Sequence, residues 1–172
     1  ELAIVTNGTL IDEDIARFFA KNNVTVGLSL DGPSQINNAY RKPRDGKFDV
    51  YEKVVRSYNL LKKYGVKIGF SSTLSPAVMD NFDAVLDFFL NGIGIQDGIS
   101  FNILHYNPAV EVNEEYFNNV AKSFISAFEI FRKEDIYEER MMRKAKAFAY
   151  RIPMFSDCGV NGRQIVISPD GR

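Results

Sequence analysis

Hydroxyl, amide and carboxylate side chains collect at three places in this sequence, each at the end of an apolar run. Thr6-Asn7 follows Leu2-Ala3-Ile4-Val5, Ser29 and Asp31 close the run 24–30, and His105 with Asn107 follow the run 99–104. If those runs are parallel strands, all three ends lie along one edge of a sheet, where α/β folds bind ligands. Such groups suit a ligand rich in hydroxyls and amines, such as a nucleoside. Asn7-Gly8 and Asp31-Gly32 are equally ordinary turn formers that cap strands. Arg41 and Arg44 lie in the loop after Asp31, where a guanidinium either grips a carboxylate or phosphate through two hydrogen bonds or stays solvated. His105 is the sole histidine, so a second general base would have to be a carboxylate. Cys158 is the sole cysteine and sits before Gly159 and Gly162, which leave the backbone free to wrap a metal cluster. Complete ligation by cysteine would take three more than the chain contains.

The elements that position these groups follow from periodicity. Val24, Val26, Leu28 and Leu30 alternate with Thr25, Gly27 and Ser29 as a strand, and Asp31-Gly32-Pro33 stops it. A helix is expected after Asp12, with Ile15, Phe18 and Phe19 on one face. Another follows Phe48-Asp49, with Val50, Val54, Tyr58 and Leu61 at helical spacing and a stop at Gly65. Residues 66–73 alternate as a third strand, and Pro76 precedes a helix expected over 80–90. A fourth strand over 99–104 leads to a long helix from about Glu114 to Lys133 and a basic one over 135–149. The fold class is therefore α/β, with parallel strands joined by right-handed helical crossovers. Both an open doubly wound sheet and a partial (β/α) barrel arc satisfy this order. The arc is preferred because no glycine-rich phosphate loop opens any helix.

With 172 residues, 45% of them hydrophobic, the chain is long enough for one substantial core. A net charge of −1 gives no electrostatic reason to expect nucleic acid or an anionic membrane as a partner. No apolar run approaches a membrane span, and a single cysteine suits a reducing, cytoplasmic setting.

Taken together, Thr6-Asn7-Gly8-Thr9-Leu10, Ser29-Leu30-Asp31-Gly32-Pro33, Tyr40-Arg41 and Gly46-Lys47-Phe48-Asp49 resemble the radical S-adenosylmethionine (radical SAM) enzymes. More narrowly they resemble the anaerobic sulfatase-maturase and peptide-maturase group that carries a C-terminal SPASM domain. The tail from Cys158 to Gly171 is similar to the opening of SPASM. The resemblance implies that residues 1–134 supply the third to sixth strands of a (β/α)6 barrel. Residues 135–157 would be a helical linker, and 158–172 the start of SPASM. It places Thr6 and Asn7 in the S-adenosylmethionine site, Ser29 on the ribose or amino-acid moiety, Arg41 on its carboxylate, and Ile103 or Leu104 against adenine. Cys158 would ligate an auxiliary 4Fe–4S cluster, and Asp31 would pin its loop through backbone amides.

Members of that group cleave the cofactor to a 5′-deoxyadenosyl radical that abstracts hydrogen from a Cys or Ser side chain of a protein or peptide. Formylglycine or a crosslinked peptide results. The three-cysteine motif that holds the cleaving cluster is absent from this sequence. The chain is therefore expected to be an internal piece, inactive by itself, with an exposed sheet edge that favours self-association. Where relatives often carry His-Asp before the arginine, this chain has Asn37-Asn38. A non-catalytic α/β peptide-binding module is the alternative reading. A barrel hydrolase or aldolase is disfavoured, because neither a lysine nor paired carboxylates stand at the strand ends.

Overall fold

Alternation of apolar and small polar residues resolves into five parallel strands lying in chain order: β1 (Leu2–Thr6), β2 (Val24–Ser29), β3 (Ile68–Leu74), β4 (Gly98–Ile103) and β5 (Tyr137–Glu138). The computed structural model describes residues 2–43, 45–104 and 113–153. The first crossover carries α1 (Glu13–Lys21), and the second carries α2 (Ser34–Tyr40) and α3 (Val50–Lys63). The third holds α4 (Pro76–Met79) and α5 (Phe82–Asp87), which widens into a π-turn over Phe88–Ile93. Next come α6 (Glu114–Phe131) and, after β5, α7 (Glu139–Ala149). Asp12, Asn113 and Asp49 each accept a hydrogen bond from the amide three residues on, which starts α1, α6 and α3 where free N–H groups need a partner.

Strictly sequential order, with no reversal at a switch point, makes this sheet a barrel arc rather than a doubly wound sheet. Its two faces differ sharply. Val26, Leu28, Ile68, Phe70, Ile99 and Phe101 point to one side and pack under the helices. Rings run through that layer as a chain, Tyr58 to Phe70 to Phe89 to Phe101 to Phe131, with centroids 5.2, 5.5, 6.4 and 6.2 Å apart. The other face carries the alternate residues and remains partly open.

Four departures from the sequence expectations have physical causes. A fifth strand exists, because Tyr137 and Glu138 lie beside Gly98 and Ile99 at the start of what reads as one basic helix. The polar loop after Pro33 contains α2, held by side-chain amides rather than by an apolar stripe. The helix expected over 80–90 is α5, which starts at Phe82 and passes into the π-turn, and a separate short helix, α4, precedes it at Pro76–Met79. Finally, the long helix ends at Phe131, because Arg132–Glu134 tighten into a 3₁₀ turn and Asp135 adopts a left-handed φ of 56°.

Candidate functional site

Strand registers line up the residues of the open face in rows. Gly27, Gly69 and Gly98 lie side by side, with Val5 beyond Gly27. One step toward the carboxyl ends, Ser29, Ser71 and Ser100 form the next row, and Thr73 lies beside Asn102 above it. The face thus passes from bare peptide to hydroxyl and amide groups as it nears the edge where α/β folds hold their ligands.

Asn102 links this face to α7. Its Nδ2 donates to Ser71 Oγ at 2.9 Å, and its Oδ1 accepts from Arg140 Nη2 at 2.5 Å. Arg140 Nε also donates to the Phe101 carbonyl at 3.2 Å. β5 is two residues long, so it cannot pair with the upper half of β4, and the guanidinium caps that unpaired edge instead.

Asp31 organises the loop after β2. Its Oδ1 accepts from the Thr73 amide at 2.8 Å, and its own N–H donates to Asn37 Oδ1 at 3.1 Å. Arg41 grips it from the other side, Nε to Oδ2 at 2.6 Å and Nη2 to Oδ1 at 2.8 Å. Two of the guanidinium's donor nitrogens are therefore directed at Asp31. Asn37 and Asn38, the residues standing where His-Asp is usual, knit α2 to its surroundings. Asn38 donates to Asp49 Oδ2 at 2.9 Å and accepts from the Tyr51 amide at 3.2 Å.

The remaining sequence-predicted site residues distribute as follows. Ser29 lies on the open face, in the serine row. The β1–β2 register brings Asn7 level with it, one step beyond the pairing of Thr6 with Leu28. Thr6 therefore belongs to the helix-packed side, and its Oγ1 accepts from the Gly8 amide at 3.1 Å. Asn7 Oδ1 accepts from both the amide and the hydroxyl of Thr9. Gly8 allows this tight exit with φ of 70°, and a Cβ there would come within 2.8 Å of Leu28 Cδ2. Ile103 pairs with Leu74 at the end of β4 and is 36% exposed, whereas Leu104, one residue past the strand, packs against the core. Leu104 N–H donates to Tyr116 Oη, which in turn donates to the Leu74 carbonyl, so α6 fixes the ends of β3 and β4 together. His105, Asn107, Arg44 and Cys158 lie outside the described residues. Sequence reasoning missed Ser71, Asn102 and Arg140. The signal for the first two was present as the alternations Gly69-Ser71-Thr73 and Gly98-Ser100-Asn102.

Hydroxyl and amide groups in register, above glycines that leave the face bare, fit the nucleoside part of S-adenosylmethionine. Among the described residues no group of three or more His, Cys, Asp or Glu side chains is arranged to hold a metal, and the one cysteine, Cys158, lies outside them. No helix of the described residues is long and apolar enough to cross a membrane.

This arc, with its ligand-type groups on the open face, is the architecture of the radical SAM superfamily, whose family model matches residues 1–89. The chain belongs to that superfamily. Within it, the chain is 42% identical over 88 residues to the serine-type anaerobic sulfatase-maturating enzyme of Bacteroides thetaiotaomicron, a match covering 50% of this chain and 20% of that protein. It is 39% identical over 87 residues to the cysteine-type enzyme of Clostridium perfringens, covering 51% and 23%. Among solved structures, native anSMEcpe with bound AdoMet and a peptide superposes with a TM-score of 0.76 and 27% identity, over 93% of this chain and 45% of that one. The matched stretches thus span a quarter or less of those two curated relatives, and under half of the solved structure.

Proposed function

We propose that the chain forms the S-adenosylmethionine-binding arc of a radical SAM maturase that modifies a protein or peptide substrate in the cytoplasm. The observation that carries this is the serine row: Ser29, Ser71 and Ser100 stand in register on the open face, within a sheet whose first 89 residues match the superfamily. Ser29 and Asn7 bind the ribose or amino-acid part, and Ile103 or Leu104 offers the apolar contact to adenine. Arg41, held on Asp31, keeps the loop over the site in place. When bound, the cofactor supplies hydrogen-atom abstraction from a Cys or Ser side chain of the substrate, as the sulfatase-maturing relatives suggest. Cys158 serves an auxiliary cluster in a SPASM segment over 158–172; of the stretch 135–157 expected as a linker, β5 and α7 belong to the arc. With one cysteine, the chain by itself does not cleave the cofactor even after iron–sulfur reconstitution, and release of deoxyadenosine would contradict that.

Equilibrium dialysis with labelled S-adenosylmethionine tests the reading. Saturable binding that Ser29→Ala weakens about tenfold is expected, one lost hydrogen bond being worth about that factor. No binding by the folded chain would sink it. The outer strand β1, with Leu2 63% and Val5 72% exposed, supports self-association, which a monodisperse monomer in light scattering would refute.

A further inference from the structure

Ser71 sits at the centre of the serine row, between Ser29 and Ser100, and its hydrogen bonding is constrained from one side. A guanidinium only donates, so Arg140 fixes which end of the Asn102 amide faces it: Oδ1 accepts from Nη2. The opposite end, Nδ2, must then donate to Ser71 Oγ, at 2.9 Å. Ser71 is thereby committed as an acceptor toward Asn102, and its own proton has no acceptor among the described residues. The hydroxyl is left as a donor toward the open face. The chain of donors begins at a full positive charge, and successive hydrogen bonds polarise one another, which strengthens the last donor.

We propose that Ser71 is a cofactor-binding residue, donating to an acceptor atom of the nucleoside part of the ligand, and that Arg140 is its positioning residue acting through Asn102. The nucleoside part is favoured over the amino-acid part because the row beneath Ser71 is glycine. Gly69 has no Cβ, and one built there would meet nothing nearer than the Gly98 carbonyl oxygen at 3.6 Å, so a flat ring system can lie against the peptide surface there while its edge meets the serine row. This inference rests on the reading that the open face holds S-adenosylmethionine.

The test is isothermal titration of the full chain with S-adenosylmethionine and, separately, with 5′-methylthioadenosine, which keeps the nucleoside and lacks the amino-acid moiety. Ser71→Ala is expected to weaken both by about tenfold. Arg140→Met should weaken both similarly, yet change nothing further in a Ser71→Ala background, since the two residues act as one unit. Arg140→Lys should rescue only part, because a point charge cannot serve Asn102 and the Phe101 carbonyl together. The apo chain gives a second readout: the Asn102 side-chain amide signals in NMR should lose their exchange protection in Arg140→Met while the backbone amide spectrum keeps the wild-type fold. Binding by Ser71→Ala equal to wild type would overturn the inference and leave the reading standing. A loss confined to S-adenosylmethionine would also overturn it, since the acceptor would then lie on the amino-acid part. Failure of the folded wild type to bind either ligand would remove both the reading and the inference.

Discussion

Asp31 and Arg41 meet in a side-on pair, Nε to Oδ2 at 2.6 Å and Nη2 to Oδ1 at 2.8 Å, with the Asp31 side chain 6% and the Arg41 side chain 25% exposed. The Thr73 amide donates to the same carboxylate, so one acidic residue ties the loop after β2 to the top of β3 and to the end of α2. An arginine that the family pattern suggests for ligand binding is thus part of the frame around the site.

Removing one partner of that pair leaves a nearly buried charge uncompensated. Arg41→Ala is expected to destabilise the chain by about 3 kcal/mol, measured as a lower urea midpoint with unchanged slope. Arg41→Lys should recover less than half, because an ammonium cannot engage both oxygens in this geometry. If Arg41→Ala instead kept wild-type stability and lost cofactor binding, the arginine would belong to the ligand.

The glycine row separates two kinds of glycine. A Cβ on Gly98 would lie 2.7 Å from the Tyr137 carbonyl oxygen, a backbone atom that moves only with β5. Gly98→Ala should therefore cost about 1–3 kcal/mol in urea unfolding and loosen the β4–β5 pairing. A Cβ on Gly69 would meet nothing nearer than the Gly98 carbonyl oxygen at 3.6 Å. Gly69→Ala should leave stability within about 0.5 kcal/mol while intruding on the open face, so its effect belongs in the binding measurement.

Ser72, fully buried on the helix-packed side of β3, has no hydrogen-bond partner for its hydroxyl among the described residues. Burying an unmatched hydroxyl is costly, and the replacement loses one atom. Ser72→Ala is thus expected to raise stability by up to about 1 kcal/mol. A fall of similar size in thermal or urea unfolding would show that a partner had been lost.

How much of this was written in the sequence depends on what holds each part. β2 was readable because Val24, Val26 and Leu28 are buried alternately, and hydrophobic burial leaves its period in the sequence. The aromatic helix faces were readable for the same reason. α2 was not, since its contacts are amides: Asn37 to Asp31 and Asn38 to Asp49 and Tyr51. β5 was hidden by its two-residue length and by Glu138, an acid where a buried strand would ordinarily place an apolar residue. At the site, Ser29 could be picked out because it closes an alternating strand. Arg140 could not, because its role depends on β5 ending early beside β4, a fact of tertiary structure with no local trace.

Glu138 itself supplies a pH dependence. Its carboxylate caps α7, accepting from the Arg140 amide at 3.0 Å and the Met141 amide at 2.7 Å, yet the residue is fully buried. Burial pushes its pKa above the ordinary carboxyl value, and the two capping amides only partly oppose this. The native chain therefore keeps this proton to higher pH than the unfolded chain does. Between the unfolded and native pKa values the native state binds more protons, so this residue's contribution falls as pH rises through that window and stays lower above it. Urea unfolding of the wild type and Glu138→Gln across acidic to neutral pH isolates that decline as the difference between them. Glu138→Gln cannot ionise and should give a flatter profile over the same window, with the difference between the two chains shifting in favour of the variant as pH rises. Parallel profiles for the two chains would mean that Glu138 titrates no differently folded than unfolded, and the buried cap would then be solvated in a way its burial here does not allow.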